Sequence, residues 1–271
     1  MNVAQSRSLD LVVGATLGAA FLGVLRVSVR LIEALYGALA APISKLWVIL
    51  VPENTDAGAG RSKIYLEFTT IASLFLLPTF SGLFLVADEM VTVLLDPDYA
   101  LAADLIKVLC IAGLFAPFVQ FRTAAFTAIG RLNRLMVLAA IDVVVVLVSA
   151  SVLVKYGLVA ATYSLVICAA IKLLTNFPVL IKAFGASYIE LLHKLYPVYL
   201  AISCMAACLI AVDAMATTSS LLVLLVLKIA IGAISFTGYL LTFHRQWLTQ
   251  TIRIVLPDFN LPFRLRVKDP L

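Results

Sequence analysis

The chain predicts an all-α, polytopic membrane helix bundle with about seven transmembrane helices. Its composition gives the first reason: of 271 residues, 63% are hydrophobic and 13% charged, with a mean hydropathy of +1.10. A soluble domain needs a polar skin and does not reach such values. The second reason is a series of long apolar runs, and the third is the segregation of Lys and Arg into alternate loops between them.

A helix crossing the ~30 Å hydrocarbon core needs about 20 mostly apolar residues. Leu11 to Leu25 is apolar but reaches only about 22 Å at 1.5 Å per residue, too short for a full span. Leu22 to Ser44 is long enough, although it carries Arg26, Arg30 and Glu33. Phe68 to Ala87 has no ionisable group between Glu67 and Asp88 and is the cleanest span. Val108 to Gly130 contains Arg122, Leu135 to Val154 contains Asp142, and Gly157 to Ile181 contains Lys172. Leu195 to Val212 and Ser219 to Phe243, with Lys228, complete the set. The short β-prone runs Val143 to Val146 and Leu221 to Val226 sit inside stretches of helical length, and open strands in lipid would leave backbone groups unpaired. Pro78, Pro117, Pro178 and Pro197 fall within or near the ends of spans, where prolines mark kinks. Polar or turn-forming breaks separate the spans at Pro52 to Gly58, Asp96-Pro97-Asp98, Lys155-Tyr156-Gly157 and Thr217 to Ser220.

One set of loops holds Lys45, Arg61, Lys63, Arg131, Arg134, Lys182 and Lys194, and the tail on the same side adds Arg245, Arg253, Arg264, Arg266 and Lys268. The opposite loops hold Lys155 alone, beside Asp88, Glu89, Asp96, Asp98 and Asp213. By the positive-inside rule the basic side, with the C-terminus, is cytoplasmic. The same bias accounts for the net charge of +5 without nucleic acid, and directs the basic tail to anionic membrane lipids. The first ten residues are polar and lack an apolar h-region, so no cleavable signal peptide is expected.

Charges at bilayer depth cost several kcal/mol and mark candidate functional sites; the bland alternatives are snorkelling and structural pairing. Arg26, Arg30 and Glu33 share one helix face, which must meet a water-filled cavity or other protein rather than lipid. Arg30 and Glu33 are expected to neutralise each other in part, leaving Arg26 for an anion. Arg122 lies too deep in its span to snorkel. Guanidinium forks suit phosphate and carboxylate oxygens, so Arg26, Arg30 and Arg122 are the candidate cavity residues. Asp142, and with it Glu33, are candidate ion-coupling carboxylates; Asp142 could carry a proton, bind a cation or pair with a neighbouring arginine. The stems of Lys172 and Lys228 are long enough to reach water or a carboxylate, and Asp104 with Lys107 reads as a local pair. Cys110, Cys168, Cys204 and Cys208 all fall inside spans with no histidine among them, which favours apolar packing over a metal site or disulfides. No acidic metal pair or nucleotide-binding glycine loop occurs, so no catalytic residue, metal or cofactor is assigned and an enzyme is not expected.

Two stretches carry a family resemblance. Asp10-Leu-Val-Val-Gly14-Ala-Thr-Leu-Gly18-Ala-Ala-Phe-Leu-Gly23, running to Arg30-Leu31, resembles the segment joining the seventh and eighth helices of Wzx-type polysaccharide exporters. Leu94-Leu95-Asp96-Pro97-Asp98-Tyr99, the helix after it, and Phe126 to Arg131 are similar to that family's interfacial turn and its helix closing on Ala-x-Gly-Arg. The tyrosine usual soon after the Leu-Gly pair is absent, with Leu25 or Arg26 in its stead. The exporters belong to the multidrug/oligosaccharidyl-lipid/polysaccharide flippase superfamily, with two six-helix bundles around a cationic cavity. The resemblance implies export of undecaprenyl-diphosphate-linked oligosaccharide across the bacterial inner membrane by the C-terminal portion of such a protein, a truncated or partial transporter. Residues 1–21 would be the remnant of a preceding helix and turn, and 22–184 the bundle resembling helices eight to twelve. Residues 185–243 would add two further helices, and 244–271 the basic tail. Alternating access needs two bundles, so the partner would be the missing first bundle or another membrane subunit. The alternative is an accessory or scaffold subunit of a polysaccharide synthesis or export complex, without transport of its own.

Overall fold

The structure is a computed structural model that describes residues 3–50, 59–119, 126, 132–215 and 220–255. All regular elements among the described residues are helical. In chain order they are α1 (Val3–Thr16), α2 (Ala19–Leu50), α3 (Ala59–Leu85), α4 (Ala87–Leu94), α5 (Ala102–Leu114), α6 (Ala116–Val119), α7 (Leu132–Leu153), α8 (Leu158–Phe184), α9 (Tyr188–Met215), α10 (Leu221–Phe243) and α11 (Arg245–Val255). Short 3₁₀ turns at Pro97–Tyr99 and Val154–Tyr156 link α4 to α5 and α7 to α8.

The fold is built around α3. Its apolar residues are not confined to one stripe: Phe68, Ile71, Leu74, Leu77 and Phe80, which circle the helix, are all buried, as expected of a helix surrounded by others. The hydroxyls of Thr69 and Thr70, at the same depth, donate to the carbonyls of Tyr65 (2.9 Å) and Leu66 (2.7 Å) in the preceding turn. One group of helices packs on α3 through α2, α5 and α6, with α1, α7 and α8 behind them. A second group, α9 with α10 and α11, packs on its other flank. Leu74 and Leu77 of α3 meet Val198 and Ala201 of α9, Leu240 of α10 and Leu248 of α11 there.

Helix ends follow local chemistry. Gly18, at φ +90°, breaks the chain between α1 and α2 in a conformation that a Cβ would strain. At the end of α8, Gly185 is left-handed, and the N–H groups of Gly185 and Ala186 donate to the carbonyls of Lys182 (3.4 Å) and Ile181 (2.9 Å), a Schellman closure. Asp88 and Glu89 lie in the first turn of α4, where the helix dipole favours negative charge.

Five described helices are long and apolar enough to cross a membrane: Ser62–Leu85, Asn133–Tyr156, Leu158–Lys182, Tyr188–Met215 and Leu221–Phe243. Their outer faces are apolar too. Val137, Ile141, Val144, Val148 and Val152 of α7 and Leu222, Val226 and Ile229 of α10 are exposed, which suits contact with hydrocarbon and not water. The protein is an all-α, multi-pass helical bundle. The other two expected crossings differ from simple spans. α2 runs 32 residues, packed along α3 and α5. The stretch expected at Val108 to Gly130 starts earlier, at Ala102, and breaks at Phe115, just before Pro117. Proline removes a donor and crowds the preceding turn, which accounts for the break. Residues 120–125 and 127–131, and with them Arg122, lie outside the described residues.

Candidate functional site

α2 has two unlike faces. Leu25, Ser28, Val29 and Ile32 are buried against the bundle, whereas Gly23, Arg26, Arg30, Ala34 and Gly37 are exposed and Glu33 half-exposed. The structure therefore keeps Arg26 and Arg30 on one open face, as their spacing requires. Arg26 approaches Asp10 of α1, with Nε 3.4 Å from Oδ2, and its side chain remains 47% exposed. This corrects the expected neutralisation within α2: among the described residues no ion pair joins Arg30 to Glu33. Arginine preceding glutamate is the weaker order for such a pair along a helix, and the neighbouring helix supplies a carboxylate to Arg26 instead.

Asp142 belongs to a second place. It is buried in α7, and Lys172 of α8 sets its Nζ 3.8 Å from Asp142 Oδ2. The same ammonium donates to Gln5 Oε1 at 2.8 Å, so the polar start of α1 is folded into the bundle. The thiol of Cys168, one turn before Lys172, points to the Asp142 carbonyl oxygen at 3.7 Å. Asp142 thus meets a lysine, where a neighbouring arginine was the expected partner. α1 touches both places, through Asp10 at one and Gln5 at the other.

A third cluster was not foreseen as a unit. Lys228 of α10 is buried and pairs with both Glu89 of α4 and Asp213 at the end of α9. Close by in sequence, Lys107 binds Asp88 with Nζ at 2.7 and 2.6 Å from its two carboxylate oxygens. That contact replaces the expected Asp104–Lys107 pair, because Asp88 offers both oxygens to one ammonium. Lys228 and Lys107 together fasten the short helix α4 to α10 and α5. Their partners lie 139 and 19 residues away in sequence, separations that carry no local pattern. Only the isolation of Lys228 in an apolar run signals that it must find a carboxylate.

Between α3, α9 and α10 lies a cleft of about 630 Å³, lined by Phe75, Pro78, Gly82, Met205, Gly232 and Phe236 among others, with the Lys228 stem at its wall. The four cysteines are free thiols. Among the described residues no group of three or more His, Cys, Asp or Glu side chains could hold a metal ion.

A family model described as "Polysaccharide biosynthesis protein" matches residues 1–104. That segment runs from α1 into the start of α5 and contains Asp10, Arg26, Arg30, Glu33 and Glu89. No curated protein and no solved structure matches the chain. The matched segment and the helical bundle together support a multi-pass membrane protein of polysaccharide biosynthesis.

Proposed function

We propose that this chain exports undecaprenyl-diphosphate-linked oligosaccharide from the cytoplasmic leaflet of a bacterial inner membrane, with the open face of α2 as a substrate wall. The observation that carries this reading is the exposure of Arg26 and Arg30 on a helix packed among the spans. Desolvating two guanidinium groups against lipid would be costly, so the face fits an aqueous cavity with an anionic occupant. A diphosphate suits it: two forked donors meet several phosphate oxygens, and each charge-assisted hydrogen bond contributes about 1.5–3 kcal/mol. Asp10, bound to Arg26, orients that guanidinium from behind. Arg122, from the apolar run that follows, is proposed as a third cation for the same substrate.

Asp142 is the proposed proton-sensing group. Protonating its carboxylate removes the countercharge of Lys172, which also holds Gln5 of α1. The α7–α8 pair then loses its ion pair while Lys172 keeps Gln5 of α1, and an equilibrium between two packings shifts by the difference in their proton affinity. The basic loops and C-terminus face the cytoplasm in this reading. A specific observation favours the accessory-subunit alternative: Asp142, Lys172, Lys228, Glu89 and Asp213 all take part in ion pairs within the chain, a structural use of membrane charge that needs no transported ligand.

Reconstituted vesicles decide between them. With a fluorescent polyprenyl-diphosphate oligosaccharide in one leaflet, an impermeant quencher reports its arrival in the other. Wild-type protein is expected to accelerate exchange, and R26A, R30A and R122A to lower the rate at least about tenfold, as the loss of one charge-assisted contact implies. No acceleration by the wild type would leave the accessory reading.

A further inference from the structure

We propose that the cleft between α3, α9 and α10 binds one acyl chain of a phospholipid with a primary-ammonium headgroup, and that Asp213 at its rim receives the ammonium. The cleft measures about 630 Å³, a size usual for ligand sites. α3 lines it from Leu74 to Val86 and α10 from Lys228 to Leu240, about 18 Å along each helix at 1.5 Å per residue. That length suits a single acyl chain, since one leaflet of the ~30 Å hydrocarbon core is about 15 Å deep. Side chains of α9 form the floor by resting on two glycines. Met205 Cε lies 3.8 Å from the Cβ position of Gly82, and Leu209 Cδ1 lies 3.6 Å from that of Gly232.

Hydrocarbon suits these walls better than water does. The hydroxyls of Thr79 and Thr237, which line the cleft, donate to the carbonyls of Phe75 (2.8 Å) and Ala233 in their own helices. Apolar cavities without free polar partners stay dry. Phe75 and Ile229 at the edge are exposed, so in a bilayer the opening meets lipid chains. One end of the cleft is charged. Lys228 lines it and pairs with Glu89 and Asp213, and two carboxylates against one ammonium leave that end net negative. Glu89 Oε2 is buried with no hydrogen-bond partner, so no donor among the described residues offsets the excess there. Asp213 is half-exposed and meets Lys228 through Oδ1, which leaves Oδ2 for a second donor. Glu89 follows closely on the end of α3 at Leu85, which sets this cluster at the rim of the spanning region, the depth of lipid headgroups. A primary ammonium brings positive charge and three N–H donors to Asp213. A trimethylammonium group has no N–H to donate, and an anionic headgroup would be repelled. Binding here requires no transport by the chain.

The test titrates the full chain, purified in detergent and stripped of bulk lipid, with three phospholipids of identical acyl chains. These are phosphatidylethanolamine, phosphatidylcholine and phosphatidylglycerol, and bound lipid is counted by native mass spectrometry. Wild-type protein is expected to hold one phosphatidylethanolamine per chain, at least about tenfold more tightly than either of the others, as one charge-assisted contact implies. D213N is expected to bind the three alike. Ala233 is exposed and lines the cleft, so A233F places a ring in the groove and is expected to hold none. Circular dichroism checks that A233F folds; if it does not, wild-type selectivity and D213N decide alone. The assignment is overturned by wild-type protein that binds the three lipids equally or prefers another of them, by D213N that keeps the preference, or by folded A233F that retains the lipid. Displacement of phosphatidylethanolamine by an equimolar neutral polyprenol would give the cleft to a prenyl chain and overturn it too.

Discussion

At the residue scale, Lys228 shows how the chain handles a charge in an apolar helix. Its ammonium lies between Glu89 and Asp213, and its side chain is 1% exposed. Removing one member of a buried pair leaves the other uncompensated, at a cost of about 3–5 kcal/mol. Lys228→Met is therefore expected to destabilise the protein by that order, read as a lower thermal midpoint in detergent. The double variant K228M/E89Q is expected to recover most of the loss, since Asp213 is half-exposed and keeps its water. Equal midpoints for K228M and wild type would mean that the cluster contributes nothing to stability. The same scale marks where sequence reading stops. That Lys228 needs a carboxylate follows from its apolar neighbours, but Glu89 is 139 residues from it in sequence and Asp213 lies on another helix. Asp10 and Gln5 were hidden for a different reason: they sit in a polar stretch that reads as solvent-exposed, and only packing of α1 on α7 and α8 makes them interior.

At the element scale, the close approach of α5 to α3 depends on Gly113. A Cβ there would fall 2.6 Å from Cδ1 and 2.7 Å from Cε1 of the Phe80 ring, and Phe80 is itself buried. Overpacking of this kind costs about 1–3 kcal/mol. Gly113→Ala is expected to lower the unfolding midpoint accordingly, and Phe80→Leu in the same chain to restore part of it, measured by circular dichroism in detergent. A G113A midpoint equal to that of wild type would show that the helices part at no cost. Elements with long apolar runs, α3, α7, α8, α9 and α10, were legible because length alone fixes a spanning helix. Their turns were legible too, where Lys155-Tyr156-Gly157 becomes a 3₁₀ turn and a glycine at φ +104°. The division of the expected Val108 to Gly130 span was only half-visible. Pro117 signals a kink, but the earlier start at Ala102 reflects α5 packing on α2, α3 and α4, which no local pattern encodes.

At the scale of the whole molecule, the proposed orientation rests on loop charge, and labelling from one side of the membrane checks it. Tyr156, beside Lys155 on the acidic side, is 79% exposed, and Tyr188, near the basic loops, is 51% exposed. In intact cells stripped of their outer layers, an impermeant maleimide is expected to label Tyr156→Cys, and Tyr188→Cys only after permeabilisation. The native thiols of Cys110 and Cys168 are buried and those of Cys204 and Cys208 lie within α9, out of reach of the probe. Labelling in the opposite order would invert the orientation and move the C-terminus to the far side.

The hydroxyls of α3 bear on how the chain is made. Thr69, Thr70 and Thr79 donate to carbonyls of their own helix, those of Tyr65, Leu66 and Phe75. During synthesis α3 leaves the ribosome well before α9 and α10, which later cover its flank. Because these three groups are satisfied from the start, they add no demand for a neighbouring helix while the segment waits in lipid, and the order of translation becomes a workable order of assembly.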